Sequence, residues 1–481
     1  MRGYELVVGL EVHVELKTKT KLFCACSTEF GLPPNTACCP VCQGLPGALP
    51  TWNREAIRLA VKAGLALGCR IRRVSTAARK QYFYPDLPKG YQISQGDLPL
   101  CEDGSLTVDV EGVEKTVGIA RIHVEEDAGK LMHVGDKTFI DGNRCGTPLI
   151  EIVSLPVLHS GGEASAYLRA LREILVACGI SDCKMQEGSM RCDVNLSVRK
   201  EGDDSLGTRT EIKNINSFSF VEKAIAYEAS RQIGLLERGE CVLSQTRRYD
   251  EKTGETVLMR TKERADDYRF IEEADLPPIR LADAQIDAIG QEIGELPRAR
   301  RRRLSEQFGI SSEDAAILTS DPSLTAYFEE AAEKTSYPKL LSGLVLSELL
   351  RYCEGEEFSS PISAERMAEL ASLMGDGVIT SSVAKKLILR LLDVDFSPGE
   401  IVEREALGQI RDEELLSGYV QEAIAEMPRA VEDYQAGKAA ALQSLIGKVM
   451  AKTKGRAAPE LTRQLLEESL RREGGNGDVL L

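Results

Sequence analysis

The chain has 481 residues, which is more than one hydrophobic core normally supports, so we expect two or three domains. Its net charge of −15 at pH 7 excludes a protein whose whole surface attracts nucleic acid, and any contact with RNA must therefore be local. Thirteen cysteines, an N-terminus without signal- or transit-peptide character and the lack of a long apolar run predict a cytoplasmic protein with reduced thiols and no membrane span.

The spacing of apolar residues changes along the chain. From residue 4 to about 281, short alternating runs separated by Gly and Pro clusters predict strands and loops. Two helices are predicted within this region, at 162–178 and 219–234, and they could cover one face of a sheet. After residue 278 helical spacing prevails, at 305–308, 340–353 and 381–392. With a second break at 393–399, the pattern predicts an α+β chain with a sheet-rich domain at 1–285 and helical domains at 286–400 and 401–481.

Polar side chains recur on one face of several predicted strands. In residues 6–16 the period of two places apolar residues on one face and Glu11, His13 and Glu15 on the other. A half-buried strand with a solvated polar face would show the same alternation. Glu151 is more specific, because it lies within an apolar run and an ionised carboxylate is rarely buried unless it is paired or binds a metal. The other predicted strands add Glu125, Arg191, Asp193, Asn195, Glu211 and Lys213.

These carboxylates converge if their strands share one sheet. Several like charges in one site require divalent cations or protonation, and Mg²⁺ suits oxygen-rich sites that also hold phosphates. The cations Arg79, Lys80, Arg191 and Lys213 could then neutralise phosphate oxygens, which predicts phosphoryl transfer from ATP. Neither a Walker-type loop nor the protein-kinase signature set occurs in the sequence.

Two close pairs of cysteines lie near the N-terminus, separated by a short loop. Cys24 and Cys26 form one pair, and Cys39 and Cys42 form the other. Four thiolates on two tight turns are typical of a tetrahedral Zn²⁺ site, with free thiols as the alternative. Cys39 is preferred to Cys38 because it gives the two-residue spacer before Cys42.

Two segments combine features that suit RNA. Residues 79–91 interleave cations with aromatic residues that could stack on unpaired bases, although an aromatic packing loop has the same composition. Residues 447–456 are basic in an acidic protein, although a solvated helical face is a common reason for such a run. The candidate RNA-binding residues are Tyr82, Tyr84, Lys89, Tyr91, Lys448, Lys452, Lys454 and Arg456.

Six strings of residues resemble those of one known family. They lie at 8–13, 83–95, 125–130, 188–193, 211–214 and 452–456, and together they resemble the B subunits of the bacterial aspartyl/glutamyl-tRNA amidotransferases. The resemblance implies a mainly antiparallel, cradle-like catalytic domain related to the glutamine synthetase sheet, followed by a helical domain and a small helical tail that binds tRNA. It also implies that Glu11, His13, Glu125 and Glu151 ligate metal. Together with Arg191, Asp193, Glu211 and Lys213 from the polar strand faces, these residues make up the predicted catalytic set.

The family's reaction follows from the same resemblance. ATP activates the side-chain carboxylate of the amino acid on misacylated Glu-tRNA(Gln) or Asp-tRNA(Asn), and ammonia attacks the resulting acyl phosphate. Two partners are implied, a glutaminase of the amidase type and a small third subunit, which would make a heterotrimer. The glutaminase must be a separate chain, because this sequence shows no persuasive glutaminase arrangement of its own.

This sequence departs from the family pattern at three places. Cys38 adds a fifth thiol, Leu155 replaces a usual acidic residue, and residues 270–275 alter a usual aromatic segment. Two other functions are open on the residues alone: a noncatalytic, zinc-containing RNA-binding scaffold, and a free-standing ammonia-dependent ligase that acts on a small acid.

Overall fold

The computed structural model describes residues 3–261, 268–353 and 358–474. Two compact units divide the chain, at residues 1–297 and 298–481. The first contains the strands and the second is helical, so the predicted α+β class is confirmed. Within the described ranges, no helix is long and apolar enough to cross a membrane.

The first unit is built around a nine-stranded sheet. The strands of the first unit, in all of its sheets, are β1 Tyr4–Glu15, β2 Arg70–Ile71, β3 Val74–Ser75, β4 Ala78–Gln81, β5 Tyr91–Ser94, β6 Cys101–Val110, β7 Val113–Glu126, β8 Lys130–Val134, β9 Lys137–Asp141, β10 Pro148–Ser154, β11 Met190–Lys200, β12 Thr210–Ile215, β13 Gln245–Asp250, β14 Glu255–Thr261, β15 Ile271–Glu272 and β16 Ile279–Arg280. The large sheet has the order β14-β13-β12-β11-β1-β10-β7-β6-β2, and only the β12–β13 pairing is parallel. The smaller sheets are β15-β4-β5, β16-β3 and β8-β9.

The helices of the first unit are α1 Arg54–Ala66, α2 Gly161–Ala177, α3 Phe218–Glu237 and α4 Asp283–Gln291. Helices α1, α2 and α3 pack on the large sheet and bury the apolar face of β1, including Leu10 and Val12. The predicted end of α3 at Gly234 is wrong. The helix continues to Glu237 because Gly239, with φ of 76°, is the glycine that adopts the left-handed conformation at the helix end.

The second unit contains α5 Pro297–Phe308, α6 Ser312–Leu318, α7 Pro322–Ala332, α8 Pro338–Ser347, α9 Ala364–Gly375, α10 Ser381–Asp393, α11 Pro398–Arg404, α12 Glu413–Glu426, α13 Pro428–Gln435, α14 Ala440–Lys452 and α15 Pro459–Gly474. A 3₁₀ turn, Leu349–Tyr352, follows α8, so the single helix predicted at 340–353 is two elements.

Two separate hydrophobic cores lie within the second unit. Ile401 and Val402 of α11 belong to the first of these cores, and the other begins with Leu416. The first of these cores therefore reaches at least to Val402, and Leu407 packs against it. Similarly, Ile289 of α4 is buried in the core of the first unit, which extends beyond residue 285. The assignment of three domains stays a prediction.

Candidate active site

The face of the large sheet opposite α1, α2 and α3 carries the predicted polar side chains. Strand registers align them, because His13 lies opposite Arg191 on β11 and opposite Glu151 on β10. Glu151 in turn lies opposite His123 on β7. One row of polar residues thus crosses four neighbouring strands, and a second row begins two residues away, where Glu11 faces Asp193.

His13, Glu125 and Glu151 form the first cluster, and one donor atom from each lies within 4.8 Å of the others. The His13 Nε2 atom is 3.2 Å from Glu125 Oε1 and 3.6 Å from Glu151 Oε2. Glu125 is only 2% exposed and accepts a hydrogen bond from the Ser94 hydroxyl at 3.3 Å. Burial alone would raise the pKa of Glu125, but its contacts with His123 and His13 hold that pKa well below its usual range.

His123 is a member of this site that was not among the predicted site residues. Its Nε2 atom lies 2.9 Å from Glu151 Oε2 and 3.7 Å from Glu125 Oε2. Burial opposes protonation of the ring, but Glu151 and Glu125 raise the pKa of His123 to about 9. The sequence did contain the signal, because His123 alternates with Glu125 in a predicted strand.

Glu11, Asp193 and Glu211 form the second cluster, again with one carboxylate oxygen each within 4.8 Å. Glu11 accepts a hydrogen bond from Asn195 at 2.9 Å, and Glu211 accepts one from Thr246 at 2.9 Å. Burial, followed by the nearby Glu151 charge, raises the pKa of Glu11. The structure thus groups Glu11 with Asp193 and Glu211 rather than with the three residues of the first cluster.

Two of the four predicted phosphate-binding cations lie beside these clusters. The Lys213 ammonium pairs with Asp193 and, at 3.2 Å, with Glu211. Arg191 donates to Asp127 at 2.6 Å. These contacts place both cations on the carboxylate face.

The other two predicted cations, Arg79 and Lys80, point to opposite faces of β4. Arg79 pairs with both carboxylate oxygens of the buried Glu273, at 2.7 and 2.8 Å, and its guanidinium lies over the Tyr91 ring. The structure therefore does not bring Arg79 to the carboxylates, because Glu273 holds it elsewhere. Lys80 shares a face with Ser94, which contacts the first cluster, and its ammonium lies 4.7 Å from the centre of the Tyr268 ring.

The cysteine knuckle consists of Cys24, Cys26, Cys39 and Cys42, whose sulfurs lie within 4.8 Å of one another. Cys38 is not part of this group, and its sulfur instead faces the Asn143 side-chain oxygen at 3.9 Å. Four convergent thiols on two turns fit a tetrahedral Zn²⁺ ion.

A buried lysine lies against the knuckle and was not predicted. The Lys21 ammonium, in a residue that is 0% exposed, donates to the Ala37 carbonyl at 2.8 Å, the Gly142 carbonyl at 3.1 Å and the Cys42 sulfur at 3.6 Å. The pKa of Cys42 is lowered to about 4. The largest cause is a hydrogen bond from Cys24, and the positive charge of Lys21 also contributes.

Comparison with known proteins gives matches along almost the whole chain. A family model described as the GatB/GatE catalytic domain matches residues 6–287, and one described as the GatB domain matches residues 326–470. Curated relatives that are named as the B subunit of aspartyl/glutamyl-tRNA(Asn/Gln) amidotransferase are 49% identical in Caldanaerobacter subterraneus subsp. tengcongensis and 48% identical in Carboxydothermus hydrogenoformans. These alignments cover 97% and 98% of this chain and 99% of each relative. The chain belongs to the amidotransferase B-subunit family.

As a member of this family, the chain is part of an amidotransferase. The structure gives the environments of the residues that are predicted to depart from the family pattern. Leu155 is 44% exposed, and its side chain fills the space beside Gly118. Within residues 270–275, Ile271 pairs with Arg79 as β15, and Glu273 is the buried partner of that arginine. The segment at 270–275 thus holds Arg79 through a strand pairing and an ion pair.

The predicted RNA-binding residues of the loop at 79–91 have different environments. Tyr84 is 59% exposed, whereas Tyr82 is half-buried with its ring against Tyr268. The Lys89 ammonium lies 2.6 Å from both carboxylate oxygens of Glu126. Tyr91 lies under Arg79, so Tyr84 is the member of this set with the most exposed ring.

The basic tail of this amidotransferase chain is neutralised in part by carboxylates on α12. Lys448 pairs with Glu426 at 2.8 Å, and Lys452 pairs with Glu422 and Glu426 at 2.7 and 2.6 Å. The other two candidates make backbone contacts: Arg456 donates to the Ala406 carbonyl, and the Lys454 carbonyl accepts from Lys386. Each of these surface ion pairs contributes little to stability, so the lysines can exchange their carboxylate partners for phosphate groups.

Proposed function

We propose that this chain is the ATP-dependent, tRNA-handling subunit of an amidotransferase that converts Glu-tRNA(Gln), Asp-tRNA(Asn) or both into Gln-tRNA(Gln) and Asn-tRNA(Asn). The observation that carries the proposal is the convergence of two donor clusters on one polar face of the large sheet. Such a face suits phosphoryl transfer, in which catalysis consists mainly of positioning and charge stabilisation.

The proposed reaction has two steps. An oxygen of the side-chain carboxylate attacks the γ-phosphorus of ATP, the bond to the β-phosphate oxygen breaks, and ADP leaves. The nitrogen of ammonia then attacks the acyl carbon, inorganic phosphate leaves, and the nitrogen loses a proton to give the amide. Lys213, Arg191 and Lys80 are the residues proposed to hold phosphate oxygens during these steps.

The donor sets fit divalent cations. Carboxylate oxygens of both clusters suit Mg²⁺, and the single imidazole of His13 is compatible with such a site. His13, Glu125 and Glu151 would hold one ion, and Glu11, Asp193 and Glu211 would hold another. Bound there, Mg²⁺ supplies charge neutralisation for ATP phosphates.

The cysteine knuckle fits a structural role for Zn²⁺. All four positions of a tetrahedral ion would be filled by thiolates of Cys24, Cys26, Cys39 and Cys42, which leaves no open position for chemistry.

The names of the relatives support a multi-subunit assembly, since each is named as one lettered subunit of an amidotransferase. We propose a cytoplasmic heterotrimer in which a glutaminase of the amidase type supplies ammonia and a small third subunit completes the assembly. Misacylated tRNA is the proposed substrate, bound in part through the tail.

The deciding experiment measures amide formation on Glu-tRNA and Asp-tRNA with ammonium, ATP and Mg²⁺, with and without the glutaminase and the small third subunit. Product that requires ATP supports the proposal. The second candidate, a noncatalytic zinc-containing scaffold, is favoured only by the knuckle and the basic tail. It predicts tRNA binding with no binding of Mg²⁺-ATP, and no product even with the partners present.

A further inference from the structure

Helices α5–α11 pack around the first core of the second unit, and helices α12–α15, the tail helices, pack around the other. Among the described residues of this unit, every extensive contact between two helices lies within one of these two groups. Direct helix packing therefore does little to hold the tail helices against the first group.

A turn between α14 and α15 makes the connection instead. In this docking turn, residues 453–456, the Gly455 carbonyl accepts a hydrogen bond from the hydroxyl of Thr380, which is only 4% exposed. The Lys454 carbonyl accepts one from the Lys386 ammonium at 3.0 Å. Thr380 caps the start of α10, and Lys386 lies on that helix. Donors from one element of the first group thus hold two consecutive carbonyls of the turn.

The backbone of the docking turn has the shape that this contact requires. Lys454 and Gly455 are both left-handed, with φ of 55° and 85°. A Cβ atom at position 455 would lie 2.7 Å from the Ser382 hydroxyl oxygen on α10. On the tail side, the hydroxyl of the buried Thr453 accepts a hydrogen bond from the Ala457 N–H group at 3.2 Å. A larger residue at 455 would therefore strain the turn and push it away from α10.

The linker that follows α11 completes the connection, because it bonds to both groups. Its Gln409 N–H group donates to the Val378 carbonyl at 2.7 Å. Its Ile410 N–H group donates to the Arg456 carbonyl at 2.8 Å, and the Ile410 carbonyl accepts from the Ala458 N–H group at 3.1 Å. Separation of the turn from α10 breaks these bonds on one side of the linker, so the amides of Gln409, Ile410 and Ala458, the docking amides, report docking.

The docking contacts use the backbone of the turn and leave the Lys454 side chain exposed. Phosphate and sugar groups of RNA are held mainly by protein donors, so two backbone carbonyls are poorly suited to bind a phosphate. The carbonyls of the docking turn therefore serve a contact within the protein, whereas the exposed Lys454 ammonium is available to RNA.

We propose that residues 453–456 dock the tail helices on α10 and thereby fix the orientation in which the tail presents bound tRNA. Thr380, Lys386 and Gly455 are positioning residues in this scheme, because they act through the placement of the tail. The presentation of tRNA rests on the proposed function, whereas the docking contact does not.

Docking is tested by amide hydrogen exchange of the full chain, measured at the docking amides. We expect Lys386→Met to speed exchange there by about fivefold, the range of one lost hydrogen bond. Gly455→Val should speed it further, since it removes the left-handed glycine and adds a clash with α10.

Two matched controls separate docking from the substitutions themselves. Lys385 is the neighbour of Lys386 on α10, but it pairs with Glu348 at 2.7 Å. Gly437 has φ of 88°, and an added Cβ there would meet nothing within 4 Å. Lys385→Met and Gly437→Val should therefore leave exchange at the docking amides unchanged.

Positioning is tested by kinetics of the amidotransferase, assembled with its partner subunits, on misacylated tRNA. We expect Gly455→Val to lower kcat/KM for amide formation by about tenfold or more, because misplacement of a substrate by about 1 Å can cost about 100-fold. The salt dependence of its tRNA binding should match that of wild type, since no phosphate contact is lost. Lys454→Met should show the opposite pattern, a less steep salt dependence with wild-type exchange at the docking amides.

Wild-type exchange at the docking amides of Gly455→Val would overturn the docking contact, and faster exchange with wild-type kcat/KM would overturn the positioning role. A less steep salt dependence in that variant, with exchange unchanged, would show that the turn contacts RNA instead. Amides of α14 should stay protected in Gly455→Val. If they do not, Thr380→Val combined with Lys386→Met takes its place, because these changes leave the tail sequence intact. A wild-type assembly that forms no amide would contradict the proposed function, and exchange at the docking amides would still decide whether the turn docks on α10.

Discussion

Glu125 receives contacts from both histidines of the site and from Ser94, and it is almost completely buried. Its replacement by Gln removes the charge that holds this arrangement together. We expect Glu125→Gln to reduce amide formation by about a hundredfold or more. Loss of a residue that only supports the ligands of a metal already lowers activity by about 10–100-fold, and Glu125 is a proposed ligand. The measurement is amide formed on Glu-tRNA and Asp-tRNA with ammonium, ATP and Mg²⁺.

The same variant should bind tRNA with wild-type affinity. Glu111→Gln, at the exposed turn between β6 and β7, is the matched control and should retain full activity. Loss of tRNA binding with intact amide formation in Glu125→Gln would contradict the assignment.

The buried Lys21 ammonium lies against the cysteine knuckle. Four thiolates around Zn²⁺ carry a net charge of −2, and a buried ammonium against Cys42 reduces that charge. We expect Lys21→Met to weaken zinc binding by about tenfold or more, measured by competition with a chelator. Lys17→Met, at an exposed position, should bind zinc as wild type does, and equal affinity in the Lys21 variant would show that the lysine has no influence on the metal.

Much of the candidate site was predictable residue by residue, because a period of two in a strand places alternate side chains on one face. That rule placed His13 and Asp193 on the polar face, and Glu151 was identified because it lies within an apolar run. The separation into two clusters was not predictable, because it depends on which strands are neighbours and in which register. Arg79 shows the same limit, since its partner Glu273 lies 194 residues away in sequence.

At the scale of elements, Glu228 connects α3 to the edge of the large sheet. It is 0% exposed and accepts hydrogen bonds from Arg231 on the same helix and, at 2.7 Å, from Thr256 on β14. Arg247 on β13 lies 3.4 Å away. Although burial opposes ionisation, the hydrogen bonds led by that from Arg231 hold the pKa of Glu228 below its ordinary value.

We expect Glu228→Gln to lower the free energy of unfolding by about 1.5–3 kcal/mol at pH 7, the range for hydrogen bonds to a charged group. A lowered pKa in the folded state stabilises the protein above the unfolded pKa of about 4.3, and this stabilisation is lost as pH falls through the folded value. The difference between wild type and variant should therefore shrink below about pH 4.3. Urea denaturation of both proteins across this pH range provides the measurement.

Glu222→Gln, at an exposed position of the same helix, should have little effect on stability at either pH. Amide hydrogen exchange locates the change, because faster exchange should be concentrated in β13 and β14. A variant with wild-type stability at pH 7 would show that the neutral amide satisfies these donors equally well.

Helix positions in the chain were largely predictable, and helix ends were less so. The periodicity located α2 to within one residue at each end, because Ser160 accepts a hydrogen bond from the Glu163 N–H group and fixes the start. The predicted end of α3 at Gly234 is too early. The helix continues through this glycine because Leu236, beyond it, still packs against the hydrophobic core.

For the whole molecule, all residues of both clusters lie in the first compact unit, whereas the basic tail lies in the second. We expect removal of residues 408–481 to weaken tRNA binding by about tenfold or more and to leave binding of Mg²⁺-ATP unchanged, since it removes the residues proposed to contact tRNA phosphates but no cluster residue. Filter binding and nucleotide titration measure the two effects separately.

Removal of residues 475–481 alone is the control, and it should leave both affinities unchanged. The salt dependence of tRNA binding should also become less steep in the longer deletion, because fewer phosphates are neutralised. If the longer deletion retained wild-type tRNA affinity, the basic tail would not be an RNA contact.

Helical spacing alone does not predict the number of cores in the second unit, because its helices have similar apolar stripes. Residues 393–399 showed a break in that spacing, yet α11 beyond it still packs in the earlier core through Ile401 and Val402. Contacts between helices, rather than gaps between them, determine where one core ends.

The central position of β1 in the large sheet has a consequence for synthesis on the ribosome. This strand is made first, yet its two neighbours are β10 and β11, which end at Ser154 and Lys200. At a translation rate of roughly 5–20 residues per second, about 10–40 seconds pass before both neighbours exist. Both backbone edges of β1 are unpaired until β10 is made, and the edge that β11 will cover stays unpaired longer, so the strand that carries Glu11 and His13 is open to aggregation on the ribosome.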